Sequence, residues 1–268
     1  MPNQKSKTSI LSLNMFGRSV IKRLTNSFGS FSVEELKYEG RPARVLFSGP
    51  QHAAQSGIPL DDNPRLLFDY NQLLLELALD LNPSKVLVLG GGTLTLPMAL
   101  INNLQTVQVT VVEQNADLIA LAGEYFNYHS DHRLRLEIGD ALSIVGRLKD
   151  RYDLVITDIF DNFSIPQAFR TISFARSIKE LLNVKGLIAT NCIAATSGYA
   201  AQPLRQIVAA YSKAIGPVKV VKADQDYAYW TPQNMIIMAF NDQTVNQTLL
   251  KGIELVDLPD IQTEDYLS

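Results

Sequence analysis

Hydrophobic positions change their spacing several times along this chain. In FSVEELKYEG and RPARVLFSG, apolar and polar residues alternate and meet at Glu39-Gly40-Arg41-Pro42, which predicts two antiparallel strands joined by a turn. A third short strand is expected near Gln51–Gln55. From Asn63 to Leu81 the spacing becomes helical: Leu66, Leu67, Tyr70, Leu73, Leu74, Leu77 and Leu81 recur at three- and four-residue intervals, with Pro64 suited to a first turn. Beyond this helix, continuous apolar runs at 85–91, 107–113, 134–140, 152–158 and 186–192 alternate with helical patterns at 95–103, 116–126, 141–148, 172–182 and 203–215. Strands that are apolar on both faces and separated by helices predict a parallel sheet covered on both sides. The final runs, 217–223 and 234–240, have only a short non-helical connection, so one of them, taken as the last strand, is expected to be antiparallel. Three regions follow: a tail over 1–30 with an amphipathic helix near Met15–Leu24, a small β domain over 31–62, and an α/β domain over 63–268.

Composition narrows the function. The 268 residues are 46% hydrophobic and 19% charged, as expected of a globular chain, and the formal net charge of -3 argues against a nucleic-acid binder. The charge is unevenly spread. Lys5, Lys7, Arg18, Lys22 and Arg23 are the only charged residues among the first 33, so the rest of the chain carries about -8. The basic segment reads as a solvated arm or a surface contact, outside the ligand machinery. Cys192 is the single cysteine, which excludes a disulfide framework and a zinc site of several thiolates and fits a reducing cytoplasm. His52, His129 and His132 are too scattered for a metal site, so no metal is expected. No apolar run is long enough to span a membrane, and Ile10–Met15 is too short and broken for a secretory signal.

In a doubly wound sheet, ligands lie at the carboxyl ends of the strands. Gly90-Gly91-Gly92-Thr93 follows the first parallel strand, where glycine allows both a strained turn and close approach to a ligand. The third glycine of a dinucleotide fingerprint is absent, so the turn alone could be only a tight connection. Glu113 ends the next strand, 23 residues after Gly90, an offset that suits a grip on ribose hydroxyls; a solvated strand-end acid is the plainer reading. Asp140 can accept from an adenine amino group, cap the helix that follows, or do both. Asp158 and Asp161, leaving a buried strand in TDIFD, can share a cationic substrate, and one of them, if desolvated, can serve as a general base; otherwise they form a turn.

Together, GGG, VVEQNADLI around Glu113, GDA around Asp140 and YDLVITDIFD around Asp158 resemble the spermidine/spermine synthase family, as do Gln55-Ser56 and Tyr70 in its leucine-rich helix. The resemblance covers roughly residues 31–240. It implies an α/β fold with a Rossmann-like sheet of the class I methyltransferase type, mostly parallel with an antiparallel last strand, and a small N-terminal β domain. It further implies a cytoplasmic homodimer that moves an aminopropyl group from decarboxylated S-adenosylmethionine to a small-molecule amine. By resemblance, Glu113 holds the ribose and Asp140 the adenine amino group. Asp158 removes the amine proton, Tyr70 orients the amine, Asp161 holds its distal ammonium and Gln55 lines the nucleoside pocket.

Departures from the family pattern bear on the donor. The family reads G-G-G-D-G-G where this chain has Gly90-Gly91-Gly92-Thr93-Leu94-Thr95, so Thr93 stands where an aspartate pairs with the donor's ammonium. Asp161-Asn162 replaces D-P, and Tyr229-Trp230-Thr231-Pro232 stands near the family's Tyr-Pro. Those aromatics can close over a cation or belong to a core. Ordinary S-adenosylmethionine therefore stays open as the donor. Besides aminopropyl transfer, two further readings remain: a methyltransferase of the same architecture and an inactive nucleoside-binding scaffold.

Overall fold

The computed structural model describes residues 17–161, 164–224, 228, 230–242 and 255–256, and the chain divides into two compact units, Met1–Leu67 and Phe68–Ser268. The alternating segment forms a four-stranded antiparallel meander, β1 (Ser19–Asn26), β2 (Gly29–Tyr38), β3 (Arg41–Ser48) and β4 (Ala53–Pro59). Glu39 and Gly40, both with positive φ, connect β2 to β3, and this pair of left-handed residues matches the twist of a two-residue hairpin. Val33, Ala43, Val45 and Leu46 are wholly buried in this unit.

Two expectations change here. The segment expected to hold an amphipathic helix near 15–24 instead contains β1, which carries Lys22 and Arg23 along its mostly exposed length. Charged side chains suit an edge strand because they discourage pairing with another chain. The helix expected from Asn63 begins only at Asp69. Residues 61–65 are held otherwise: Arg41 pairs with Asp61 at 2.7 Å and donates to the carbonyls of Asn63 and Arg65. The Asp61 and Asn63 side chains also accept from the backbone amides of Asn63 and Arg65. Such local bonds offer the backbone an alternative to the helix, and Pro64 starts nothing.

In the second unit the runs become strands β5 (Lys85–Leu89), β6 (Gln108–Glu113), β7 (Leu134–Ile138), β8 (Tyr152–Thr157), β9 (Leu182–Ala194), β10 (Val218–Lys222) and β11 (Gln233–Phe240). Helices α1 (Asp69–Leu81), α2 (Thr95–Asn103), α3 (Ala116–Tyr125), α4 (Ala141–Val145), α5 (Ile172–Leu181) and α6 (Gln202–Ala214) alternate with them. The sheet order is β10-β11-β9-β8-β5-β6-β7. β9, β8, β5, β6 and β7 are parallel, and β11 runs antiparallel between β9 and β10. This is the Rossmann-like, methyltransferase-type sheet. One face packs Leu87, Val155, Ile188 and Met235 against α4, α5 and α6. The chain leaves β5 toward β6 on one side, while β8 lies on the other, so the switch point falls at the carboxyl ends of β5 and β8. Among the described residues no helix is long and apolar enough to cross a membrane.

Arg18, counted in the basic tail, has a structural task. Its guanidinium bonds both oxygens of Glu34, a carboxylate only 1% exposed that also accepts from Ser32 at 2.6 Å and lies 3.1 Å from His52. Burial alone would raise the Glu34 pKa, but the Arg18 and Ser32 hydrogen bonds and the Arg18 and His52 charges outweigh it and hold the carboxyl below its ordinary range. Stability from a depressed carboxyl is present above its unfolded pKa and lost as pH falls below it. Arg18→Ala strands a buried carboxylate and is expected to cost about 3 kcal/mol at pH 7. Urea denaturation should show the gap from wild type narrowing toward pH 3, with Arg18→Ala/Glu34→Gln recovering most of the loss.

Candidate active site at the carboxyl ends of the strands

The site begins where β5 ends. Gly90 turns with φ +91°, its amide donates to the Val112 carbonyl at 2.9 Å, and a Cβ there would stand 2.2 Å from the Asp158 carbonyl oxygen. The backbone after β8 therefore passes directly over the turn after β5, and only glycine admits that approach. At Gly91 a Cβ would meet Val111 at 2.6 Å. Gly92 and Leu94 are both left-handed, and the turn hands over to α2. Thr93 is wholly buried. Its side chain thus has no exposed surface to offer a ligand.

Glu113 holds this turn in shape. One oxygen accepts from the amides of Gly91 and Gly92 at 3.0 and 2.8 Å, the other accepts from Asn115 at 2.8 Å, and the Gln114 amide adds a fourth bond. A carboxylate has about four acceptor sites, so these amides fill them. Burial pushes the Glu113 pKa up, opposed by the four amides. Spacing alone pointed to ribose and missed this backbone role. Asp140 caps α4, accepting from the Ser143 amide at 2.8 Å and its hydroxyl at 2.7 Å, which hold its pKa down, and it stays exposed at its strand end.

Asp158, the first residue after β8, meets two other elements. Asn191 of β9, 1% exposed, donates through Nδ2 to Asp158 Oδ1 at 2.9 Å, and Tyr70 in the first turn of α1 donates its hydroxyl to the same carboxylate. Phe68 stacks on the Tyr70 ring at 5.9 Å. Burial pushes the Asp158 pKa up to about 6, against the pull of these two donors. A carboxylate poised near neutrality can take a proton and hold it. Asn191 was not picked out from the sequence. The signal was a polar side chain within the apolar run GLIATNC, since a buried amide needs a partner. Its Oδ1 is buried with no hydrogen-bond partner among the described residues.

The other expected residues are Asp161, Gln55, Tyr229 and Trp230. Asp161 lies exposed three residues on, its backbone bridged to Ser164 in both directions at 2.9 and 3.2 Å. Gln55 is the extra residue of a β-bulge, where Leu46 faces Ser56 but Phe47 faces Ala54. Bulges re-aim a side chain. Trp230 is 73% exposed, and Tyr229 lies outside the described residues.

Two outcomes follow from this geometry. Gly90→Ala is expected to lower the melting temperature and cost at least about 2 kcal/mol, because both the positive φ and the Asp158 carbonyl oppose a methyl group. Asp158 binds its proton better folded than unfolded, so stability should decline as pH rises from 3.8 through about 6. Asp158→Asn should remove that decline and be the more stable at pH 8 by about 2 kcal/mol in chemical denaturation, and Asn191→Leu should move the decline to higher pH.

Comparison with known proteins agrees with this architecture. Residues 67–223, more than half of the chain, match the family model described as the spermine/spermidine synthase domain. A polyamine aminopropyltransferase of Vibrio vulnificus is 28% identical over 139 residues, 50% of this chain and 46% of that protein. One from Hamiltonella defensa is 25% identical over 179 residues, 62% of each. The chain thus spans about half to three-fifths of the length of these relatives. Among solved structures, a probable spermidine synthase from Corynebacterium glutamicum superimposes with a TM-score of 0.74 at 19% identity, covering 88% of this chain and 90% of that one. Human methyltransferase-like protein 13, in complex with SAH, reaches 0.55 at 19% identity over 69% and 86%. At these identities the structures speak for the fold alone. With its glycine turn, its strand-end acids and the family match over most of the α/β unit, the chain belongs to the spermine/spermidine synthase family.

Proposed function

We propose that this chain transfers an aminopropyl group from decarboxylated S-adenosylmethionine to an amine. The observation that carries the reading is Asp158, a carboxyl of raised pKa held by Tyr70 and Asn191 beside the Gly90 turn. The residues present fit a cationic nucleoside: Glu113, Asp140 and Asp158 stand at three strand ends, and the glycine turn keeps backbone rather than side chains at the switch point. The relatives named polyamine aminopropyltransferase support the same class.

A sulfonium donor supplies an electrophilic carbon and a leaving group that departs as a neutral thioether, so no acid is needed. The chain's work is on the amine, which is protonated at neutral pH and nucleophilic only when neutral. Asp158 accepts the amine proton, Tyr70 and Asn191 fix its carboxylate, and Asp161 takes the distal ammonium of the acceptor. Asp140, with its cap on α4, takes the adenine amino group. Glu113, its acceptor sites taken by the four amides, keeps the glycine turn formed beside the ribose. The remaining gain comes from alignment of the reacting atoms. A cytoplasmic homodimer is the form in which we expect the enzyme to act.

A second reading has one observation behind it. Thr93, buried and neutral, leaves the donor's ammonium without its usual carboxylate partner, and the sheet is also that of methyltransferases. Incubation with putrescine and either decarboxylated or full S-adenosylmethionine separates the two. Aminopropyl transfer with release of methylthioadenosine is expected, and methyl transfer from the full donor would overturn it. Asp158→Asn should lower kcat by about 10²–10⁴ with donor affinity nearly unchanged. The wild-type kcat should rise with pH through an acid limb near 6.

A further inference from the structure

An open pocket of about 530 Å³ in the α/β unit is lined by Ser164, Arg170, Ile193, Tyr199, Gln206 and Pro232, among others. Two of these residues tie it to the Asp158 end of the sheet. Ile193 follows Asn191 by two positions on the same face of β9, about 7 Å further along the strand. Ser164 is bridged to Asp161, three residues beyond Asp158. The charge of this lining is unexpected for a polyamine site. Among the described residues that line it there is one cation, Arg170, and no acid.

Arg170 ends the 3-10 turn Gln167–Arg170 that precedes α5, a turn braced by the edge-to-face contact of Phe169 with Phe174 at 5.1 Å. Its Nη1 donates to the amide oxygen of Gln206 on α6 at 3.0 Å, while its Nε is buried with no partner among the described residues. Among the described residues no carboxylate forms an ion pair with it. A guanidinium oriented by a neutral amide and left without a counter-charge is a fork for a carboxylate. In a partly desolvated pocket it also disfavours a second cation.

We infer that the acceptor is an amine bearing a carboxylate, an amino acid with a terminal amino group, whose acid end docks on Arg170 while its amine faces Asp158. This rests on the aminopropyl-transfer reading and specifies its acceptor. The α-ammonium of such a molecule falls to Asp161. In the transfer the terminal nitrogen forms the new C–N bond, the C–S bond breaks with its electron pair going to sulfur, and the proton passes to Asp158.

Putrescine and ornithine differ only by the carboxylate and are the probes. With decarboxylated S-adenosylmethionine as donor, wild type should favour ornithine over putrescine at least tenfold in kcat/KM. Arg170→Gln should reduce that ratio at least tenfold, and Arg170→Lys, which keeps the charge but not the fork, should fall between. A wild-type preference for putrescine, or an unchanged ratio in Arg170→Gln, overturns the inference. Should neither amine be consumed, the transfer reading fails and calorimetry decides the pocket separately. Ornithine binding more tightly than putrescine, and only with Arg170 intact, would sustain the carboxylate subsite; equal or absent binding would overturn it.

Discussion

The α/β unit depends on a close contact between two backbones. Gly90 and the Asp158 carbonyl approach so closely that no Cβ fits between them, and Glu113 fastens the turn from the other side by accepting the Gly91 and Gly92 amides. Three strand ends, those of β5, β6 and β8, are joined in this way. An acid at the end of β6 organises a turn after β5, and the turn leaves room for the acid after β8. A residue at position 90 with any side chain would push the β8 end outward and separate Asp158 from Asn191 on β9. The positioning of Asp158 is therefore a consequence of sheet register and one missing methyl group, with Tyr70 contributed by α1.

The Asp158 carboxyl is costly to hold in its charged form. Asp158 sits where burial disfavours its charged form, and the two donors that favour the charge do not cancel the effect. A third donor would lower its pKa and leave it a weaker base. Asn191 donates one N–H to Asp158, and among the described residues its own oxygen has no partner, an arrangement that gives up stability and leaves Asp158 titrating near 6. Strain and orphaned polar atoms collect at this end of the sheet, as expected where a site is built for a ligand rather than for the fold alone.

The parallel strands were legible because each is a continuous apolar run between helical patterns, and strand ends follow from run ends. Glu113, Asp140 and Asp158 were found that way. What the sequence hid depends on contacts between distant segments. Asn191 is 33 positions from Asp158, and the pairing appears only when β8 and β9 lie side by side. The late start of α1 reflects Arg41, more than twenty positions upstream, whose guanidinium occupies the backbone carbonyls that a helix would have used. β1 was read as a tail because basic residues suggest solvent, yet an edge strand has one side open to water and tolerates them. The charge of Arg18 took its meaning from a buried Glu34, which no local pattern reveals.

Charge placement in the α/β unit then separates two tasks that a net charge of -3 conceals. Acids stand at the ends of β6, β8 and beyond β7, where a sulfonium nucleoside and an attacking amine would bring positive charge. Among the described residues lining the neighbouring pocket, the one cation is Arg170, set on the turn before α5 and aligned by Gln206 from α6. A purely cationic substrate would gain from the first group and be opposed by the second. A molecule with an amine at one end and an acid at the other is complementary to both, and the two groups, one at a strand end and one on the turn before α5, would fix its direction.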